Sequence, residues 1–358
     1  MPLPRFVPSD AHENVLDAAK RRVAHVFDCF DRVVVSISGG KDSLVLWHLA
    51  VSEAERRGRR VEVFFLDQEA EYQGTIDVIS RCMRHPAVEP LWYQVPLRMT
   101  NATSHRQIWM NAWGPGEAWM REKDPIAIHE EASAPNRFYD FFPWVERSAH
   151  RTAFLVGLRA RESLNRWRAS KANPGFQGLG WSTVAAGDGN FRFYPLFDWW
   201  TWDVWKCISD AGLRYNPVYD RMFALGYPER KMRVSFLVHE QSFKAMTRLQ
   251  EIEPDTFERL IRRLRGAHTA ALYAEEPIFG ALKLPSAFAS WREYRDHLTA
   301  TTPLEQMPRM LKRFAKQGND EAVCREHVRQ LLANDWENNV PIKRRSAEKL
   351  RELWWDRL

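Results

Sequence analysis

No run of about 18 apolar residues occurs anywhere in this chain, so no membrane-spanning helix is expected. The opening "MPLPRFVPSDAHENV" lacks the apolar stretch of a secretion signal. Cysteine is scarce: Cys29, Cys82, Cys207 and Cys324 are widely separated, which argues against a disulfide framework. Reduced thiols and no export signal place the expected compartment in the cytoplasm. No C-x-x-C pair exists, which removes the usual ligands of an iron–sulfur cluster or a structural zinc. Cys82 and His85 form one C-x-x-H pair without a second. "HEQSF" (239–243) begins like a zinc-protease helix but ends on Phe243 where the second histidine would stand. The G-x-x-x-x-G-K-[ST] and G-x-G-x-x-G loops are also missing, so neither an ordinary γ-phosphate ATPase nor a dinucleotide-binding protein is indicated.

What is present is a chain of 358 residues, 45% hydrophobic, enough for one large or two ordinary domains. The net charge of +6 is compatible with anionic substrates or weak nucleic-acid contact and selects neither. Helical spacing over 12–30 precedes a β-branched run, "RVVVSI", that fits a buried parallel strand. A helix is expected over 42–57, ending before Gly58, then a strand at "VEVFFLD" and a helix over 75–84. Further strands are expected at 91–95, 153–158 and 191–196. Strands alternating with helices predict an α/β domain with a doubly wound, Rossmann-like parallel sheet over 12–233. Residues 98–150, rich in Trp, Pro and Gly, are too long for a loop and read as an inserted subdomain or lid. From 234 to 358 the pattern is helical, ending in the basic, aromatic amphipathic "PIKRRSAEKLRELWWDRL". Sixteen tryptophans, several beside arginine, read first as packing residues and second as base-stacking ones.

The chemistry concentrates in "VVVSISGGKDSLVLWHL" (33–49). A strand that feeds Gly-Gly and then a helix gathers free backbone N–H groups at a helix N-terminus, which attracts phosphate. Ser36, Ser38, Gly39, Gly40, Lys41, Asp42 and Ser43 are the candidate phosphate-binding residues. His48, on the helix behind the loop, reads as a packed or surface residue.

"SGGKDS" resembles the pyrophosphate loop of the adenine-nucleotide α-hydrolase-like superfamily, which includes ATP sulfurylase small subunits and phosphoadenosine phosphosulfate (PAPS) reductases. "GLRARESLNR" (157–166) resembles that family's Gly-x-Arg-x-x-(Glu/Asp)-Ser-x-x-Arg segment. "YPLFDWWTWDVWKCI" (194–208) resembles its Pro-Leu-x-x-Trp-x-x-x-Asp-Val-Trp-x-Tyr-Ile signature, with Cys207 at the tyrosine position. "NPVYDRMFALG" (216–226) resembles the stretch that follows. The resemblance implies binding of ATP or PAPS, with cleavage between the α- and β-phosphates. It assigns Lys41, Arg159 and Arg161 to the reacting phosphates, and Gly157 and Arg166 to phosphate binding. Asp67 stands where the family has Asp-Thr-Gly and this chain has "DQE"; Asp67 or Glu69 would hold Mg²⁺ or a ribose hydroxyl. Asp203 reads equally as a substrate contact or as a cap with Thr201.

The reductases' C-terminal Glu-Cys-Gly-x-His nucleophile is absent, and Cys324 lies in a helical pattern. The insert and "MRVSFLVHEQSFKAMTRLQEIEPDTFERLIRRLRGAHTAALY" (232–273) resemble proteins of the immunoglobulin-binding regulator A (IbrA) type. That likeness implies a possible ParB/sulfiredoxin-like protein partner. Three readings stay open: an adenylyl-transferring or ATP pyrophosphatase enzyme, a nucleotide-binding regulator acting with a partner or on nucleic acid, and a PAPS-binding sulfonucleotide transferase.

Overall fold

The computed structural model describes residues 13–104, 107–147, 150–160, 175–234, 236–238, 248–264, 267, 284–301, 307–336 and 338. The chain divides into two compact units, residues 1–99 with 111–236, and residues 100–110 with 237–358. Among the described residues no helix is long and apolar enough to cross a membrane.

The first unit opens with α1 (Val15–Cys29), whose first turn is closed by the Asn14 side chain accepting from the N–H groups of Leu16 and Asp17, both at 3.0 Å. Then come β1 (Arg32–Ser36), α2 (Lys41–Arg56), β2 (Val61–Leu66), α3 (Gln73–Met83) and β3 (Val88–Tyr93). A short two-stranded ladder, β4 (Leu97–Thr100) with β5 (Trp109–Ala112), and α4 (Phe138–Arg147) follow. After β6 (Thr152–Val156), β7 (Ser182–Val184) and β8 (Phe191–Phe193), the unit continues through α5 (Thr201–Asp210) and α6 (Val218–Ala224).

The main sheet runs β3-β2-β1-β6-β8-β7, with all neighbours parallel except the antiparallel β7 at the edge. This is the expected doubly wound α/β class, and its core is aliphatic: Val33, Val35, Leu46, Val63 and Leu155 are fully or nearly fully buried. The order matters for function. From β1 the chain winds outward through β2 and β3, then returns to the other side of β1 with β6 and β8. A crevice therefore opens at the carboxyl ends of β1 and β6, where ligands bind in open sheets of this kind.

Three local differences from the sequence reading have physical causes. Strand β3 begins at Val88 and ends at Tyr93, because it pairs residue for residue with β2, from Val61↔Val88 to Leu66↔Tyr93. Strand β8 stops at Phe193, before Pro195, which has no N–H to give a ladder. Strand β7 is three residues long and carries no periodic signal.

In the second unit, α7 (Leu249–Ile252) and α8 (Pro254–Arg263) meet at Glu253-Pro254, with Pro254 in the first helical position. Farther on, α9 (Trp291–Thr301), α10 (Met307–Gln317) and α11 (Glu321–Leu332) gather Ile108, Leu298, Met310, Phe314, Val328, Leu331 and Trp336 into an apolar cluster. Asn334 donates to the carbonyls of Asn101 (2.6 Å) and Ser104 (2.7 Å), so the tip of the predicted insert is fastened within this unit. The basic stretch from 341 lies outside the described residues.

Candidate functional site

The loop begins where β1 ends. Ser38 N–H donates to Ser43 Oγ (3.0 Å), and Ser43 Oγ donates to the Gly40 carbonyl (3.1 Å). These two bonds fold "SGGKDS" back over the start of α2. Ser36 is the last residue of β1 and leads into this loop. Gly39 has φ +70°, and a Cβ there would lie 2.7 Å from Thr75 Cγ2, so both conformation and space require glycine. Gly157, just beyond β6, packs so closely on α2 that a Cβ would lie 3.1 Å from the Ser43 backbone nitrogen. The backbone N–H groups in the first turn of α2 have no acceptor inside the helix.

Two cations converge on one carboxylate here. Lys41 Nζ lies 3.0 Å from Asp42 Oδ2, and the Arg159 guanidinium pairs with Oδ1 of the same residue. The lysine side chain is 11% exposed and that of Arg159 only 5%, so both charges are largely withdrawn from water. The other end of Arg159 donates to Thr201 Oγ1 at 3.2 Å. Arg161 and Arg166 lie outside the described residues.

Two residues from "NPVYD" complete the loop. The buried Asn216 side chain donates to Thr75 Oγ1 (3.0 Å) and to the Gly39 carbonyl (3.5 Å), tying the loop to α3. Tyr219 Oη accepts from the Lys41 backbone N–H at 3.3 Å, and Lys41 Nζ stands 5.5 Å from the centre of the tyrosine ring. The likeness of this stretch to a known motif was visible in the sequence; what these two side chains touch was not.

Asp67 and Glu69 are built differently and correct an expectation. Both are fully buried. Asp67 Oδ2 accepts from Trp92 Nε1 (3.1 Å) and Gln94 Nε2 (2.9 Å), while Oδ1 accepts from the Glu69 N–H (2.9 Å) and the Arg121 guanidinium. Glu69 accepts from the backbone N–H groups of Trp113 (2.8 Å) and Met120 (3.1 Å). Oxygens so engaged do not fit Mg²⁺ or a ribose hydroxyl; they hold residues 113–121 against the end of β2. Among the described residues no three His, Cys, Asp or Glu side chains gather as a metal site. Nearby Glu71 is buried too, and burial, followed by the charge of Asp67, pushes its carboxyl up to about 8.

The remaining candidates have structural roles. Asp203 is fully buried, and from the third position of α5 its carboxylate accepts from the N–H of the N-cap residue Trp200 at 2.8 Å, the reciprocal half of a capping box. Thr201, expected to share that capping, is instead the first helical residue, and its hydroxyl is left for Arg159. His48 is half-buried, and burial lowers its pKa. Burial pushes the Cys82 thiol up to about 12 and the Cys207 thiol up to about 11, and Cys324 packs fully buried on α11.

A strand–Gly-Gly–helix loop at the switch point of a doubly wound sheet defines a phosphate-binding α/β protein. Residues 32–226 match the phosphoadenosine phosphosulfate reductase domain, and the chain belongs to that family. Residues 226–328 match a domain of unknown function, DUF3440. An uncharacterized Escherichia coli (strain K12) protein, YbdN, is 29% identical over 300 residues, which cover 78% of this chain and 73% of that protein. Among solved structures, the chain is similar to a PAPS reductase from Candida auris in a phosphate complex. That match has 14% identity and a TM-score of 0.35, and it covers 59% of this chain and 86% of the other. It is also similar to an FMN adenylyltransferase from Candida glabrata with FMN and an ATP analogue, at 13% identity and a TM-score of 0.38, covering 58% and 59% of the two chains.

Proposed function

We propose that this chain binds ATP by its pyrophosphate and breaks the bond between the α- and β-phosphates. One observation carries the reading: Lys41 Nζ and the Arg159 guanidinium meet on the Asp42 carboxylate beside the N-terminus of α2, at the sheet's switch point. A phosphate entering there exchanges one anionic partner for another. As an acceptor oxygen attacks the α-phosphorus, the bond to the bridging oxygen breaks and the leaving pyrophosphate gains charge. The loop amides and Lys41 stabilise that charge, at about 2–4 kcal/mol for a well-placed donor. With water as acceptor the products are AMP, pyrophosphate and a proton. Arg159 suits bidentate contact with phosphate oxygens.

Three of the four thiols, Cys82, Cys207 and Cys324, are buried, which disfavours thiol reduction at those positions. The loop would grip the phosphate groups of PAPS by the same contacts, and the cytoplasm is the compartment proposed for either substrate. The test uses ATP labelled at the α-phosphate, with Mg²⁺ supplied alongside the nucleotide, on the native protein and on Lys41→Ala. Labelled AMP or an AMP adduct without ADP, lost in the variant, is the expected result; ADP would overturn the assignment. Binding without turnover, abolished by the variant, would favour a nucleotide-binding regulator that works with a ParB/sulfiredoxin-like partner.

A further inference from the structure

The helices of the second unit differ in how they balance charge. Two of them, α9 and α11, each carry two arginines and two carboxylates, and pairs form within them: Arg295 with Asp296 at 2.6 Å, Arg329 with Glu326 at 2.9 Å. Between them in sequence, α10 ("MPRMLKRFAKQ") has four basic residues and no acidic one. Arg313 is engaged inside the fold, donating to the carbonyls of Trp336 (2.8 Å) and Asp335 (3.0 Å). Arg309, Lys312 and Lys316 are exposed, while Met307, Met310 and Phe314 fill the apolar cluster. At about 100° per residue these three cations fall within about 60° of the helix circumference and span about 10 Å of its length. Among the described residues no carboxylate pairs with Lys312 or Lys316. Four positions apart, the two lysines repel each other, which weakens a helix. The helix dipole favours Lys316, in the last turn, and does nothing for Lys312 in the middle. Packing of the opposite face does not require either charge.

We infer that the exposed face of α10 docks on the phosphate backbone of a nucleic-acid duplex, recognised by its charge and not by its base sequence. Charge complementarity selects this partner. A duplex carries one negative charge per about 1.7 Å of its axis, and cations that neutralise its phosphates release condensed counterions, which drives binding without apolar contact. The alternatives ask for surface that α10 does not offer. A helix lying on an anionic membrane buries an apolar face in the lipid, and the apolar face of α10 is already inside the protein. An acidic protein partner would close around an apolar or aromatic centre, and Leu311, 45% exposed, is the only large hydrophobic side chain exposed on this helix. No aromatic ring is exposed on α10 for an unpaired base to stack on, which favours a duplex over a single strand. This inference does not depend on the reading of the phosphate loop, which lies in the other unit.

The test measures, by fluorescence anisotropy over a range of salt concentrations, the binding of two short labelled DNA duplexes of unrelated sequence. The proteins are the full chain, Lys312→Ala, Lys312→Ala/Lys316→Ala, Lys312→Arg/Lys316→Arg and Lys206→Ala. Lys206, held by Asp210 at 2.6 Å on α5, removes the same charge from a different surface. Circular dichroism and melting curves check that each variant is folded. The expected result is that both duplexes bind alike and that affinity falls steeply with salt. Each lysine lost from α10 lowers the slope of log affinity against log salt by about 0.9, and the double alanine variant by about 1.8. The double arginine variant and Lys206→Ala keep the native slope. The inference is overturned if the native chain shows no salt-dependent duplex binding, or if the folded double alanine variant keeps the native slope. It is also overturned if Lys206→Ala lowers the slope as much as Lys312→Ala, since net charge alone would then explain the binding. Tighter binding of a single strand of the same length overturns the duplex as partner. So does lysine-dependent binding of polyglutamate or of phosphatidylserine vesicles by a chain that leaves the duplexes free.

Discussion

Asp42 and Asp67 stand at the same edge of the sheet, one just after the β1 loop and the other at the end of the neighbouring strand β2. What separates them is the source of their partners. Asp67 is enclosed by four donors, three of them neutral and all contributed by the chain, and none of its surface reaches water. Asp42 is 18% exposed and held by two cations, each of which could serve a phosphate instead. A carboxylate with a full set of fixed donors is architecture, because removing it leaves those donors unsatisfied in the interior. One that bridges two cations able to pair with phosphate oxygens can be displaced by a ligand. The same residue type, a strand apart, thus builds the wall in one place and keeps the seat in the other.

Substitutions can break this contrast, and the largest effect is expected on the closed side. Asp67→Ala strands the Arg121 guanidinium and should lower folding stability by about 3–5 kcal/mol, read from the denaturant midpoint. Next, Arg159→Ala should cost about 2–4 kcal/mol in kcat/KM for α–β cleavage while shifting the unfolding midpoint far less. A result in which Arg159→Ala unfolds the protein and Asp67→Ala merely slows it would reverse the assignment.

Glu71 sharpens the comparison through pH. Its folded pKa, about 8, lies above the ordinary 4.5. Below that ordinary value both folded and unfolded chains keep the proton. Between about 4.5 and 8 the unfolded chain has released it and the folded chain has not, so this contribution to stability falls as pH rises and is gone above about 8. Glu71→Gln should therefore flatten the decline of stability from pH 5 to 9, seen in melting temperatures across that range. The smallest expected effect is Thr201→Val, about 0.5–1.5 kcal/mol in nucleotide affinity, with Thr201→Ser close to native.

Much of the open side was legible in the sequence because it is local: a β-branched run, two glycines, a lysine and a helix start follow one another without interruption. Residues 33–49 state their own geometry, and β1, α2, β2 and β6 fall where the apolar pattern places them. The closed side was not legible. "DQE" shows neither that Glu69 adopts φ +67° nor that its carboxylate meets the N–H groups of residues 113 and 120. Those partners are supplied by an insert whose own hydrogen bonds go to distant side chains, and no periodicity reports such an arrangement. For the same reason Thr201 looked like a helix cap. Only the structure shows that Asp203 has taken the Trp200 N–H and left the threonine hydroxyl to Arg159.

Asn216 reaches the Gly39 carbonyl across 177 positions of chain, and Tyr219 reaches the Lys41 N–H across 178. During synthesis the strand, both glycines and the lysine leave the ribosome long before the two side chains that fix them in place. A nascent chain that has not yet exposed residue 219 can assemble β1, α2 and β2, yet its loop lacks the contacts that set it. The loop's full set of contacts is therefore complete only once residue 219 has emerged, and a truncated product ending before "NPVYD" should carry the motif without the two side chains that set it.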